Sequence, residues 1–172
     1  MGLLDKLKNK LGSVTAPGTS AVPGRLYAPL AGTLVPIEEI PDDVISQGIL
    51  GQGCGIQPDN GKVFSPVDGV VSGIAQTLHA VGVTTAEGAE LLIHVGVDTV
   101  EMNGEGFHVS VKAGQQVVCG QPLLTFDLAA IERAGHPTVT TFVVTNADEF
   151  AEVTVTTGLH VAAGQEIGFV RK

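Results

Sequence analysis

From Arg25 to the C-terminus, apolar residues come in short runs rich in Val, Ile and Leu, broken every few positions by Gly, Pro, Asn or Asp. Runs of that length between turn residues predict an all-β chain, an antiparallel β-sandwich or distorted barrel. Residues 25–172 read as one domain. Two stretches echo within it. Tyr27-Ala28-Pro29-Leu30-Ala31-Gly32-Thr33-Leu34 returns as Phe64-Ser65-Pro66-Val67-Asp68-Gly69-Val70-Val71, and Val111-Lys112-Ala113-Gly114-Gln115 returns as Val161-Ala162-Ala163-Gly164-Gln165. Half-motifs of this kind, too few and irregular for a solenoid, predict a duplicated hammerhead motif closing one sandwich. Short helical turns are expected at residues 41–47 and 128–134. Ahead of the domain, residues 1–12 put Leu3, Leu4, Leu7 and Leu11 on one helical stripe, with Lys6, Lys8 and Lys10 elsewhere. Such a short helix is marginal alone in water, and its basic face suits reversible contact with an anionic membrane. Residues 13–24, with Pro17, Gly18, Pro23 and Gly24, read as a flexible linker.

Composition narrows the chemistry. Aromatics make up 4% of the 172 residues and Trp is absent, so the core must be built from small and β-branched side chains. A net charge of −9 argues against a nucleic-acid surface, which demands clustered Lys and Arg. Cys54 and Cys119 make no disulfide framework and no zinc knuckle; they read as reduced, packed thiols of a cytoplasmic protein. No apolar run approaches the roughly 20 residues that span a bilayer, and the N-terminus lacks the apolar core of a secretory signal.

The chemically loaded stretch is Leu91-Leu92-Ile93-His94-Val95-Gly96-Val97-Asp98, where one imidazole interrupts an aliphatic strand. A polar ring taken from water there needs a partner or a task. Residues 77–85 and 90–97 read as two strands of a hairpin that carry His79 and His94. With a loop of two or four residues, Thr85 faces Glu90, Val81 faces His94 and His79 faces Gly96. The two histidines then project from one face as diagonal neighbours. A loop of three or five residues would turn one of them away. Converging imidazoles suit phosphoryl chemistry, one ring as nucleophile and the other as hydrogen-bond donor to the transferred group. Gly96 would leave the backbone bare where a phosphate or a partner must approach.

The whole segment from Glu90 through Val95-Gly96-Val97-Asp98-Thr99-Val100-Glu101-Met102-Asn103-Gly104-Glu105-Gly106 to Phe107 resembles the signature of the glucose-family enzyme IIA proteins of the bacterial sugar phosphotransferase system. Ala28-Pro29-Leu30-Ala31-Gly32, Ser65-Pro66-Val67-Asp68-Gly69 and Thr77-Leu78-His79-Ala80 match it in order, and Met1-Gly2-Leu3-Leu4-Asp5-Lys6-Leu7 resembles the family's N-terminal helix. The resemblance implies a phosphoryl carrier. His94 would take the group on Nε2 from phospho-HPr, and His79, oriented by Thr77, would assist its transfer to the IIB domain of a sugar permease on a separate chain. Asp98 would lie at the rim of the site. Val44, Ile45, Ile49, Leu50 and Leu92 would form an apolar docking face beside Gly96, and regulatory binding at that face is expected as well. Ala75 and Leu78 depart from the family's usual residues beside that face. The resemblance further implies a cytoplasmic monomer, peripheral at the inner face of the membrane, that requires no cofactor. It allows a zinc ion shared by His79, His94 and a partner's carboxylate.

Three other readings compete. A zinc hydrolase of related fold needs a third strong ligand and a His-x-His pair, and neither is present. A purely regulatory binding module is compatible with the carrier, because phosphorylation adds charge to an apolar face. Lys62 after Asn60-Gly61 invites comparison with the modified lysine of lipoyl and biotinyl domains but lacks their flanking residues. His108, His136 and His160 read as surface or turn histidines.

Overall fold

The computed structural model describes residues 21–172. The predicted helix at residues 1–12 lies outside the described residues, as does most of the linker. Fourteen strands follow in chain order: β1 (Arg25–Tyr27), β2 (Gly32–Pro36), β3 (Gln52–Pro58), β4 (Lys62–Phe64), β5 (Gly69–Ile74), β6 (Ala80–Thr84), β7 (Glu90–His94), β8 (Phe107–Val109), β9 (Gln116–Val117), β10 (Pro122–Phe126), β11 (Thr140–Val144), β12 (Glu152–Val155), β13 (His160–Val161) and β14 (Glu166–Arg171). They form an eight-stranded sheet, β13-β2-β3-β11-β7-β6-β5-β9, and two three-stranded sheets, β1-β14-β12 and β4-β10-β8. The pairings are antiparallel. The expected all-β class is what the chain adopts.

The duplication is visible in the pairing itself. Exchanging β1 with β4, β2 with β5, β3 with β6, β11 with β7, β12 with β8, β13 with β9 and β14 with β10 reproduces every sheet order. The first sequence echo lies on this two-fold relation. Tyr27 N–H donates to the Pro66 carbonyl at 3.2 Å, and Phe64 N–H donates to the Pro29 carbonyl at 2.7 Å. The second echo needs correction. Gly164 N–H reaches the Ala28 carbonyl at 2.9 Å, and its counterpart is Gly120 N–H on the Ser65 carbonyl at 2.9 Å. The repeat partner of residues 161–165 is therefore residues 117–121. Residues 111–115 share only a local turn, in which a glutamine side chain accepts from the backbone three residues earlier. That contact recurs as Lys112–Gln115 at 3.0 Å, Val118–Gln121 at 3.1 Å and Ala162–Gln165 at 3.4 Å.

Alternation along the strands fills one core between the sheets. Leu34, Ile56, Val71, Ile93 and Phe142 from the large sheet meet Leu26, Val63, Leu124 and Ile167 from the small ones in a single buried cluster. The halves differ most between their second and third strands. Residues 75–79 make a tight connection from β5 to β6, whereas residues 37–51 make an excursion from β2 to β3. That excursion holds a 3-10 turn (Ile37–Glu39) and helix α1 (Asp43–Ser46), started by the Asp42 carboxylate accepting from the Val44 and Ile45 amides. It lies down on β3 because Gly55 has no side chain; a Cβ there would sit 2.9 Å from Val35 and 3.0 Å from Ile40. Helix α2 (Leu128–Arg133), capped by Asp127, follows β10. Both predicted helical turns are thus present, each with an aspartate cap.

Phe142 is the largest of the fully buried side chains. Phe142→Ala is expected to lower unfolding free energy by about 3–5 kcal/mol, read from urea denaturation; a loss below about 1 kcal/mol would contradict this account of the core.

Candidate active site

β7 buries Leu91 and Ile93 in the core and turns Leu92 and His94 to the opposite face. On that face His94 is paired with Ala80 of β6 on one side and Thr141 of β11 on the other, and Thr141 is paired with Gly55 of β3. The row Ala80, His94, Thr141, Gly55 sets one large ring among small side chains. The imidazole is left partly exposed.

The hairpin register differs from the expected one. Thr84, not Thr85, faces Glu90, and Ala80 faces His94, so the loop holds residues 85–89. In a strictly pleated strand this register would send His79 to the far side of the sheet. The rings nevertheless meet, with centroids 4.8 Å apart and planes at 85°. The pleat ends at Ala80, and residues 76–79 bend away from it. Leu78 adopts a left-handed φ of +64°, a conformation costing on the order of 1–3 kcal/mol for a non-glycine residue. Its amide is held by the Ala75 carbonyl at 2.8 Å, and the Ala75 amide by the Ala80 carbonyl at 2.9 Å. The His79 carbonyl still accepts from the Val95 amide at 2.8 Å, so backbone pairing continues while the side chain is swung across.

Hydrogen bonds set the state of each ring. His94 Nδ1 lies 3.0 Å from the Gly96 carbonyl, which can only accept. Nδ1 therefore carries the proton, and in the neutral ring Nε2 keeps its lone pair. The carbonyl is aimed by a tight turn in which Gly96 has φ +74°. Val97 N–H binds the Pro137 carbonyl at 3.1 Å, and the Thr99 hydroxyl caps the Val95 carbonyl. A Cβ on Gly96 would lie 2.5 Å from the Thr99 methyl and 2.9 Å from the Pro137 carbonyl oxygen. The fold behind the site therefore requires the glycine on its own account. His79, 7% exposed, has its Nδ1 2.8 Å from the Thr77 hydroxyl.

Burial pushes both imidazoles below their ordinary pKa of 6.5. For His79 the neighbouring His94 adds to the lowering, and a hydrogen bond at the Thr77 backbone opposes it. For His94 the backbone hydrogen bonds at Gly96 and at its own residue oppose the burial, as do the charges of Asp42 and Asp98. Both rings are neutral at physiological pH, the state a nucleophile needs.

The remaining candidates divide by position. Asp98 is exposed, in a left-handed turn directly after Val97. Val44 and Ile49 are 47% and 66% exposed, and Leu50 and Leu92 are half-buried. Ile45 is buried with Ile40, Val97 and Val139, so it anchors α1 from beneath and does not offer contact area at the surface. Two residues near His94 escaped the sequence reading. Asp42 reaches the ring only through the fold of residues 37–51, and Thr141 carries no local signal because its place depends on register. Outside the site, His160 binds Asp59 at 2.6 Å, His136 lies 3.7 Å from Glu101, and His108 is exposed. Lys62 opens β4, paired through Thr125. Cys54 and Cys119 are free thiols, raised by burial to about 12 and about 11. Among the described residues no group of three or more His, Cys, Asp or Glu is placed to hold a metal ion, which leaves the hydrolase reading without its ligands. No helix among them is long and apolar enough to cross a membrane.

Residues 24–150 match the family model of the phosphoenolpyruvate-dependent sugar phosphotransferase system, EIIA 1. The chain belongs to this family. It is a phosphoryl carrier of the sugar phosphotransferase system, a transferase component that works through phosphohistidine. The glucose-specific EIIA component of Oceanobacillus iheyensis is 43% identical over 81% of this chain and 85% of its own length. That of Halalkalibacterium halodurans is 48% identical over 73% of each chain. The solved glucose permease IIA from Mycoplasma capricolum superposes with a TM-score of 0.77 at 30% identity, covering 84% of this enzyme IIA chain and 93% of that one.

The lowered pKa values make a pH prediction. Below pH 6.5 the unfolded enzyme IIA chain protonates its histidines while the folded rings resist. Stability therefore falls as pH drops from 6.5 toward the folded pKa values and levels off beneath them. Proton NMR titration of the ring Cε1–H signals should place both midpoints below 6.5, and Asp98→Asn should move that of His94 lower still. Midpoints at or above 6.5 would contradict this reading of the site.

Proposed function

We propose that His94 carries the phosphoryl group between phospho-HPr and the IIB domain of a sugar permease, with His79 as the partner that eases transfer. One observation carries the reading: the Gly96 carbonyl holds the proton of His94 on Nδ1 and leaves Nε2 as the free nucleophile of a partly exposed ring. In loading, the Nε2 lone pair forms a bond to phosphorus as the phosphorus–nitrogen bond to the donor imidazole breaks, its electrons staying on that ring. Delivery is the same step with this chain as donor. The Thr77 hydroxyl lies 2.8 Å from His79 Nδ1; when it donates there, the ring proton sits on Nε2, where it donates a hydrogen bond to a phosphoryl oxygen. Asp98 and Asp42 shape the charge around His94 from the rim.

Partners dock on the half-exposed face of Val44, Ile49, Leu50 and Leu92. Phosphorylation puts charge beside that face, so the same site switches association with regulatory targets that favour the apolar form. A Bacillus subtilis relative named as the beta-glucoside-specific EIIBCA component, one-fifth of which this chain matches at 42% identity, fits a IIB partnership. The chain works in the cytoplasm as a monomer, and the Leu3, Leu4, Leu7 and Leu11 stripe supports contact with an anionic membrane. No cofactor takes part in turnover. His79 and His94 would each supply one ring nitrogen to a zinc ion if a partner's carboxylate completed the set.

Incubation with labelled phosphoenolpyruvate, enzyme I and HPr tests this. Acid-labile, base-stable label is expected on the wild type and lost in His94→Gln. His79→Gln should keep loading but slow delivery to the IIB domain by about 100-fold or more. Equal loss of both steps in His79→Gln would contradict the division of roles.

A further inference from the structure

Among the described residues, one buried side-chain polar atom has no hydrogen-bond partner: Oγ1 of Thr141. Buried hydroxyls are normally satisfied, and valine would fill the same space without the cost of desolvating an oxygen. Neighbouring threonines follow the rule, Thr140 with the Thr138 carbonyl and Thr99 with the Val95 carbonyl. The orphan is also in a particular place. Thr141 is directly paired with His94, so the two side chains share a face, with Cβ atoms about 4.5–5.5 Å apart. Its other paired neighbour, Gly55, offers no side chain, and the residue packed over Gly55 is the apolar Ile40. Of the two strand neighbours paired with Thr141, only His94 carries polar side-chain atoms. There Nδ1 is already taken by the Gly96 carbonyl, which leaves Nε2 and whatever is bonded to it.

We infer that Thr141 is a phosphoryl-binding residue, its hydroxyl unpartnered in the resting protein because its partner is an oxygen of the phosphoryl group on His94. The inference deepens the proposed role of His94 and rests on it. Phosphorylation puts three charged acceptor oxygens on Nε2, and a hydroxyl donor to one of them makes a charge-assisted hydrogen bond. Thr141 and His79 then hold the group from opposite sides of β7, one from β11 and the other from the bend before β6. No covalent step is added; the hydroxyl keeps its proton and shifts the loading equilibrium toward this chain.

The test compares wild type, Thr141→Val, Thr141→Ala and Thr141→Ser, with His94→Gln as the control. Each is equilibrated with phospho-HPr, the ratio of phosphorylated chain to phospho-HPr is measured, and the 31P signal of the phosphohistidine is recorded. Thr141→Val is expected to lower that ratio about tenfold or more and move the 31P signal, and Thr141→Ala to do the same. Thr141→Ser should stay within about threefold of wild type. Unphosphorylated Thr141→Val should melt at a higher temperature than wild type, since it sheds an unsatisfied oxygen. Unchanged loading in Thr141→Val and Thr141→Ala would overturn the inference, as would an equal loss in Thr141→Ser, which would assign the effect to packing. Label surviving in His94→Gln is a separate result. It would remove His94 as the carrier and this inference with it.

Discussion

A single hydrogen bond, from His94 Nδ1–H to the carbonyl two residues ahead of it, decides which nitrogen of the ring can attack. Much of the surrounding structure serves to aim that carbonyl. Gly96 turns left-handed, Thr99 caps the carbonyl of Val95, and the Pro137 carbonyl holds Val97 in place. No side chain larger than hydrogen fits at Gly96 without displacing Thr99 or Pro137. A ring held this way presents one nucleophilic atom in one direction, and positioning of that kind is most of what a protein can contribute to phosphoryl transfer.

The site is a product of broken symmetry. Two halves related by an exchange of strands build the sandwich, and they would give two equivalent faces if they were identical. They diverge where the second strand of each half leads to the third. In one half residues 37–51 spread over the sheet, bringing Asp42 near His94 and leaving Val44 and Ile49 exposed. In the other, residues 75–79 turn sharply and deliver His79. The excursion needs Gly55 beneath it, and the sharp turn needs a strained Leu78. Backbone strain and an unsatisfied hydroxyl both lie beside the reacting ring, where local stability is traded for geometry.

Much of this is legible in the sequence. Alternating apolar runs and frequent turn residues indicated the sandwich, the Tyr27 and Phe64 echo indicated its duplication, and the lone imidazole of β7 marked the chemistry. What escaped was long-range or non-ideal. The hairpin register is one residue off because residues 85–89 form an unremarkable loop, and pleat alternation then fails at Leu78, where a leucine takes a conformation its type does not announce. The two departures cancel, so the rings meet for a reason other than the expected one. Apolar type does not separate surface from support, so Ile45 reads as a docking residue although it is buried with Ile40, Val97 and Val139. Asp42 and Thr141 stand near His94 only through tertiary pairing, which no local motif encodes.

The account is tested most directly at the His94 ring itself. In protein labelled with 15N-histidine, long-range proton–nitrogen correlation above pH 7.5 reads the protonation of each ring nitrogen. The account predicts Nδ1 protonated and Nε2 bare on His94, with the phosphorus coupling appearing on Nε2 after loading. A proton found on Nε2 of the resting ring, or phosphorus on Nδ1, would contradict it.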